Sequence, residues 1–123
     1  MTPQNRQQIT FGSLDDKIKV ENPVRFVDAF VEHLELEKLK FIVPDFKTEG
    51  RPQFESKLFL KIYLYGYLNG LRSSRKLEQE CLRNTELQWL CSSLAPNYQG
   101  IADFRKENSA ALQSTFKLFV LFL

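Results

Sequence analysis

Arg72, Arg75, Lys76 and Arg83 crowd one short stretch of this chain. Arg75 and Lys76 stand where a helix would begin, directly after a Gly-Leu-Arg-Ser-Ser turn. Guanidinium groups in such places hold phosphates or read guanine edges. Short helices joined by a tight turn, with cations near their ends, suit a helix-turn-helix arrangement. The same spacing equally suits a solvated helix face, with Glu78 and Glu80 as local partners.

Other chemistry is poorly represented. The 5 glycines are scattered and form no phosphate-cradling loop. The single histidine, His33, lies in an amphipathic stretch without a positioned partner, so a satisfied surface or half-buried ring is expected rather than an acid–base catalyst. No serine has the setting of a nucleophile elbow. The carboxylates fall on expected solvent faces. Cys81 and Cys91 lack the His or Cys partners of a metal site and read as small buried hydrophobes. No signal-like segment opens the sequence, and no apolar run reaches the roughly 18 residues of a membrane span. Reduced thiols and a cytoplasmic setting, away from membranes, are therefore expected.

The net charge of +2 is too small to argue for nucleic acid by itself. Its distribution is more informative. Residues 1–50 carry 7 basic and 9 acidic side chains, and residues 51–123 carry 10 and 6, so the second half is the place to look for a phosphate-facing surface. The 11 phenylalanines imply a substantial core or an apolar surface for a partner.

The elements that must position these groups are all helical. Residues 1–17 read as a flexible lead-in, the first thirteen of them polar. Pro23 opens a helix over about 24–34, continuing or restarting through 39, with Phe26, Val27, Phe30, Val31 and Leu34 on one face. Residues 44–52 hold two prolines and a glycine and form a linker. The next helix, about 55–69, is apolar nearly all round and belongs at the centre of a bundle. Gly66 inside it marks a close helix approach, and Gly70 is its C-cap. Ser73 or Ser74 caps a helix over 75–83 that turns Leu77, Cys81 and Leu82 inward. A Thr85–Gln88 capping box starts another over 86–92. Pro96 and Gly100 bracket a turn before a short helix over 101–107, and a last helix runs from about Ser109. Its end, FKLFVLFL, carries a single charge, so it either packs fully into the core or continues into something further.

Together these residues resemble a known family. Gly-Arg-Pro at 50–52, Leu-Lys-Ile-Tyr-Leu-Tyr-Gly-Tyr at 60–67, Arg-Ser-Ser-Arg-Lys-Leu-Glu at 72–78 and Ile-Ala-Asp-Phe-Arg-Lys at 101–106 are similar to the N-terminal helical domain of bacterial insertion-sequence transposases of the DDE class. The Phe-Val-Asp-Ala-Phe helix at 26–30 fits as well, and the resemblance covers about residues 18–120. It departs at Gly100, where the family often has Ser or Thr, so the side-chain cap of that first turn is expected to be lost.

The resemblance implies an all-α domain of five or six helices over 18–123 with a helix-turn-helix-like unit. It implies recognition of the terminal inverted repeats of double-stranded DNA, ahead of an RNase H-like domain whose carboxylates hold divalent metals. The family's first catalytic Asp falls beyond residue 123, so this chain is expected to hold no catalytic residue, metal or cofactor of its own. On this reading Arg72, Arg75, Lys76 and Arg83 contact phosphates, and Arg105 and Lys106 sit at or near a groove. The alternative is an interaction module that pairs with itself or with full-length transposase through its aromatic surface and residues 116–123.

Overall fold

The computed structural model describes residues 14–39, 41 and 54–123. After a helical turn at 14–17, the helices are α1 (Pro23–Glu32), α2 (Ser56–Asn69), α3 (Ser74–Arg83), α4 (Thr85–Leu90), α5 (Tyr98–Glu107) and α6 (Ser109–Leu121). No strand occurs among the described residues, and the fold is all-α. None of these helices is long and apolar enough to cross a membrane. The linker expected at 44–52, and the Gly-Arg-Pro motif within it, lie outside the described residues.

The bundle is organised around α2. Leu58, Phe59, Leu60, Ile62, Tyr63, Leu64 and Tyr65 are all buried, because α1, α3, α4 and α5 each pack against this helix. Its N-cap, Glu55, makes no side-chain capping bond. A missing cap costs about 1 kcal/mol. Fully burying one Leu or Ile stabilises by about 1.5–3 kcal/mol, so burial decides that this segment is helical.

The surrounding helices are capped locally. Asn22 Oδ1 accepts from the Val24 amide at 2.9 Å, with Pro23 opening α1. That helix ends at Glu32, short of the expected Leu34; His33 caps it, and residues 36–39 form a turn instead of more helix. His33 is exposed, as expected, with its ring Nδ1 2.8 Å from the Ala29 carbonyl oxygen. The Thr85–Gln88 capping box does not form. Asn84 takes its place, closing α3 and opening α4 with Oδ1 accepting from the Leu87 amide at 3.1 Å. Gln88 instead donates to the Leu82 carbonyl.

One further expectation fails for a geometric reason. Leu82 is 64% exposed, because α3 buries a seam through Leu77 and Cys81 and Leu82 lies about 100° round from Cys81. The end of α6 does not pack fully into the core, the first of the two alternatives its sequence left open. Only Phe119 of the last stretch is buried, ringed by Phe26, Phe30 and Tyr67, while Leu121 is 81% exposed and Val120, Phe122 and Leu123 also face outward.

Polar groups inside the bundle are partnered. Lys61 Nζ lies 2.8 Å from both Asp28 Oδ1 and Glu32 Oε1 and ties α2 to α1. Tyr65 donates to Glu86 at 2.8 Å, and the same carboxylate accepts from Asn22. Several carboxylates expected on free solvent faces are thus tertiary partners. Cys81 and Cys91 are free, buried thiols, as expected. The hydrogen bond between them, together with burial, pushes the Cys91 thiol up and keeps it protonated.

Candidate functional site

The cationic region is built outward from the end of α2. Gly70 adopts a left-handed conformation (φ 71°), which reverses the chain without the strain a Cβ would bring. The amides of Gly70 and Leu71 both reach back to the Gly66 carbonyl, the latter at 2.9 Å. Gly66 permits this close return: a Cβ there would lie 2.6 Å from the Leu71 carbonyl oxygen and 3.0 Å from Leu77 Cδ2. Residues 70–73 therefore form a tight four-residue turn that carries Arg72. Ser73 Oγ then accepts from the Lys76 amide at 3.3 Å and starts α3.

Side chains on α3 tie the cluster to α5. The Arg75 guanidinium lies 4.0 Å from the centroid of the Tyr98 ring. This cation–π contact places the arginine against the first turn of α5. Glu78, three residues along, accepts from the Tyr98 amide at 2.9 Å, so it serves the neighbouring helix instead of a cation on its own. Asn97 Oδ1 accepts from the Gly100 amide at 2.9 Å. Helix α5 thus starts three residues earlier than expected, and Asn97 supplies the cap whose loss Gly100 implied.

Arg72 and Arg105 meet across one cleft. It has a volume of about 330 Å³ and is lined also by Tyr63, Gly66, Tyr67, Leu71, Leu112 and Phe116. Tyr67 and Phe116 stack with centroids 5.4 Å apart at 26°. Tyr63 is fixed at the base, donating its hydroxyl to the Ile101 carbonyl. Burial pushes its phenol up to about 12, against the opposing charge of Arg105.

The remaining cations are placed differently. Lys106 is exposed beside Arg105 in the last turn of α5. Arg83 lies eight residues beyond Arg75, roughly 12 Å along α3, and its Nε donates to Glu80 at 2.9 Å. The Glu80 carboxyl is held below its ordinary value by hydrogen bonds from Asn84 and Arg83. Among the described residues, no carboxylate pairs with Arg72, Arg75, Lys76, Arg105 or Lys106. The structure therefore brings Arg72 and Arg105 together and locks Arg75 onto α5, while Arg83 stands apart and engaged. Tyr98 escaped the sequence reading, as did the placing of Tyr67 and Phe116 beside the arginines, because no spacing rule connects these rings to the cations they face.

A wider cavity of about 630 Å³ lies elsewhere, lined by Glu32, Lys57, Lys61 and Cys91 among others. Three of its charged groups are already paired, Glu32 with both lysines, while Glu55 lines it as well. No group of three or more His, Cys, Asp or Glu side chains among the described residues could hold a metal.

A family model described as Transposase domain (DUF772) matches residues 12–107, which takes in α1 through α5. No curated protein matches the chain, and no solved structure matches it.

Proposed function

The chain belongs to the transposase-domain family, and from that premise we propose that it is the DNA-binding helical domain of a transposase, recognising the element's terminal inverted repeats. In this reading α2, the turn at 70–73 and α3 form a helix-turn-helix-like unit, whose glycine-containing turn has the length that motif uses. The observation that carries the proposal is the run of cations without carboxylate partners among the described residues: Arg72, Arg75 and Lys76 at the turn and the start of α3, with Arg105 and Lys106 on the packed helix α5. Cations on adjoining elements without a carboxylate partner among the described residues are available to phosphates, Arg75 by leaving the Tyr98 ring. Arg83, held by Glu80, would exchange that partner for a phosphate and so contribute less. Strand cleavage and joining belong to other parts of a transposase, and no residue here is assigned to them.

Replacing Arg72, Arg75, Lys76, Arg83, Arg105 and Lys106 together by Ala, with duplex affinity measured at equal salt, tests the surface. Unchanged affinity would show it to be misplaced.

A second reading is supported by the open apolar residues at the end of α6, where Val120, Leu121, Phe122 and Leu123 are exposed beside Tyr67 and Phe26. In it the chain associates with itself or with full-length transposase and inhibits it. A dimer indifferent to salt and DNA favours this reading. A monomer whose DNA binding falls steeply with salt favours the first.

A further inference from the structure

We propose that the cleft between Arg72 and Arg105 is a binding site for a single unpaired nucleotide, such as one splayed out at a DNA end. The proposal deepens the DNA-binding reading and rests on it for the source of the nucleotide.

Size comes first. About 330 Å³ is at the small end of the range for ligand sites. A cleft of this volume admits a base with its phosphate and excludes a duplex. A paired strand would have to release a nucleotide to use it.

Chemistry comes next. A nucleotide is a flat π-system joined to an anion, and the cleft offers a counterpart for each part. Two arginines from different elements, neither with a carboxylate partner among the described residues, face the same space. Guanidinium groups bind phosphate oxygens in a bidentate fashion and also stack on bases. Tyr67 is 52% exposed and stacks on Phe116 at 5.4 Å, so an aromatic surface is open at the cleft. Base–aromatic stacking of this kind tolerates any base. Tyr63 and Leu112 close the apolar floor. The site would therefore recognise an unstacked nucleotide without reading its identity.

Arg72 is set by the turn that Gly66 and Gly70 allow, and Arg105 by a helix that the Asn97 cap and the Glu78 carboxylate anchor. The backbone that carries both arginines is thus fixed before a ligand arrives, which lowers the entropic cost of binding.

The test is fluorescence anisotropy on the whole chain with three labelled DNAs at one salt concentration: a blunt duplex, the same duplex with a single-stranded overhang of about four nucleotides, and the single strand alone. Unlabelled thymidine monophosphate serves as competitor. The expected result is roughly ten-fold tighter binding of the overhang duplex than of the blunt one, the range one base stack provides. That preference should vanish in Tyr67→Ala and persist in Tyr67→Phe. Arg105→Ala should weaken the overhang duplex more than the blunt one. Tyr67 and Arg105 are exposed, and a thermal melt of each variant confirms folding. Equal binding of blunt and overhang duplexes by the wild type overturns the proposal and leaves duplex recognition standing. Binding of the single strand through Tyr67 without any duplex affinity supports the cleft and overturns the inverted-repeat reading. Displacement by thymidine monophosphate at concentrations matching the overhang's own affinity overturns the DNA-end source in favour of a free nucleotide.

Discussion

Gly66→Ala should destabilise the protein, against the usual direction for that exchange. Within a helix, Ala is favoured over Gly by about 0.5–1 kcal/mol, because Gly loses more backbone freedom on folding. At Gly66 the new methyl would stand 2.6 Å from the Leu71 carbonyl oxygen and 3.0 Å from Leu77 Cδ2. Real contacts of a Cβ do not approach so closely, and the nearer atom is backbone, so relief requires moving the turn. Overpacking of this kind costs about 1–3 kcal/mol. The steric cost outweighs the propensity gain, giving a net loss of about 1–2 kcal/mol. For a chain of this size that corresponds to a fall in Tm of roughly 4–10 °C. Because the turn carries Arg72, the same substitution should also weaken any ligand bound there. Gly100→Ala is the control: the nearest atoms to its added methyl are at 3.5 Å and 3.8 Å, ordinary contact distances, so it should be neutral or stabilising by up to about 1 kcal/mol. Thermal and urea unfolding followed by circular dichroism read both. A Gly66→Ala variant as stable as the wild type would refute the claim that glycine is there for the close return of residue 71.

Asn84→Ala should cost about 1–2 kcal/mol, since it removes the cap on α4 and the Nδ2 donor to Glu80 together; urea unfolding measures it. Lys61→Met should also destabilise, because it leaves Asp28 and Glu32 facing each other without their cation. Lys61 is only 12% exposed, but the carboxylates are at 36% and 50%, so the loss is about 1–2 kcal/mol and short of what a fully buried pair would give. The wild type should show a matching pH dependence. The hydrogen bond from Lys61 holds the Glu32 carboxyl below its ordinary 4.5. Its contribution is therefore present above about pH 4.5 and lost as pH falls through the lower folded value. A plot of Tm against pH should lose that part of its acid slope in Lys61→Met, and an unchanged slope would break the assignment.

What was legible in the sequence was local. Gly66 and Gly70 could be read because glycine inside, and just after, an otherwise apolar helix has few roles. The central position of α2 followed from its lack of a polar face. Where two local signals competed, reading failed. Asn84 and Thr85 are both good caps, and the structure uses Asn84, which closes one helix while opening the next. Gly100, directly before the motif, implied a lost cap, while Asn97 supplies the oxygen from three positions earlier. Glu78 looked like a partner for cations on its own helix, yet it binds the Tyr98 amide, a contact no helical spacing encodes. The cleft is the extreme case. Arg72 and Arg105 are far apart in the chain, and only the packing of α2, α5 and α6 puts them opposite each other beside the Tyr67–Phe116 stack.

The most direct measurement is a titration of the chain against an inverted-repeat duplex and a scrambled duplex of equal length, each at about 50 and about 200 mM salt. Tighter binding to the repeat is expected at both concentrations. A loss of roughly several hundred-fold between them is also expected, the counterion release when about five cations neutralise phosphates. Equal affinity for the two sequences, or no affinity for either, would contradict the claim that this domain recognises the ends of the element.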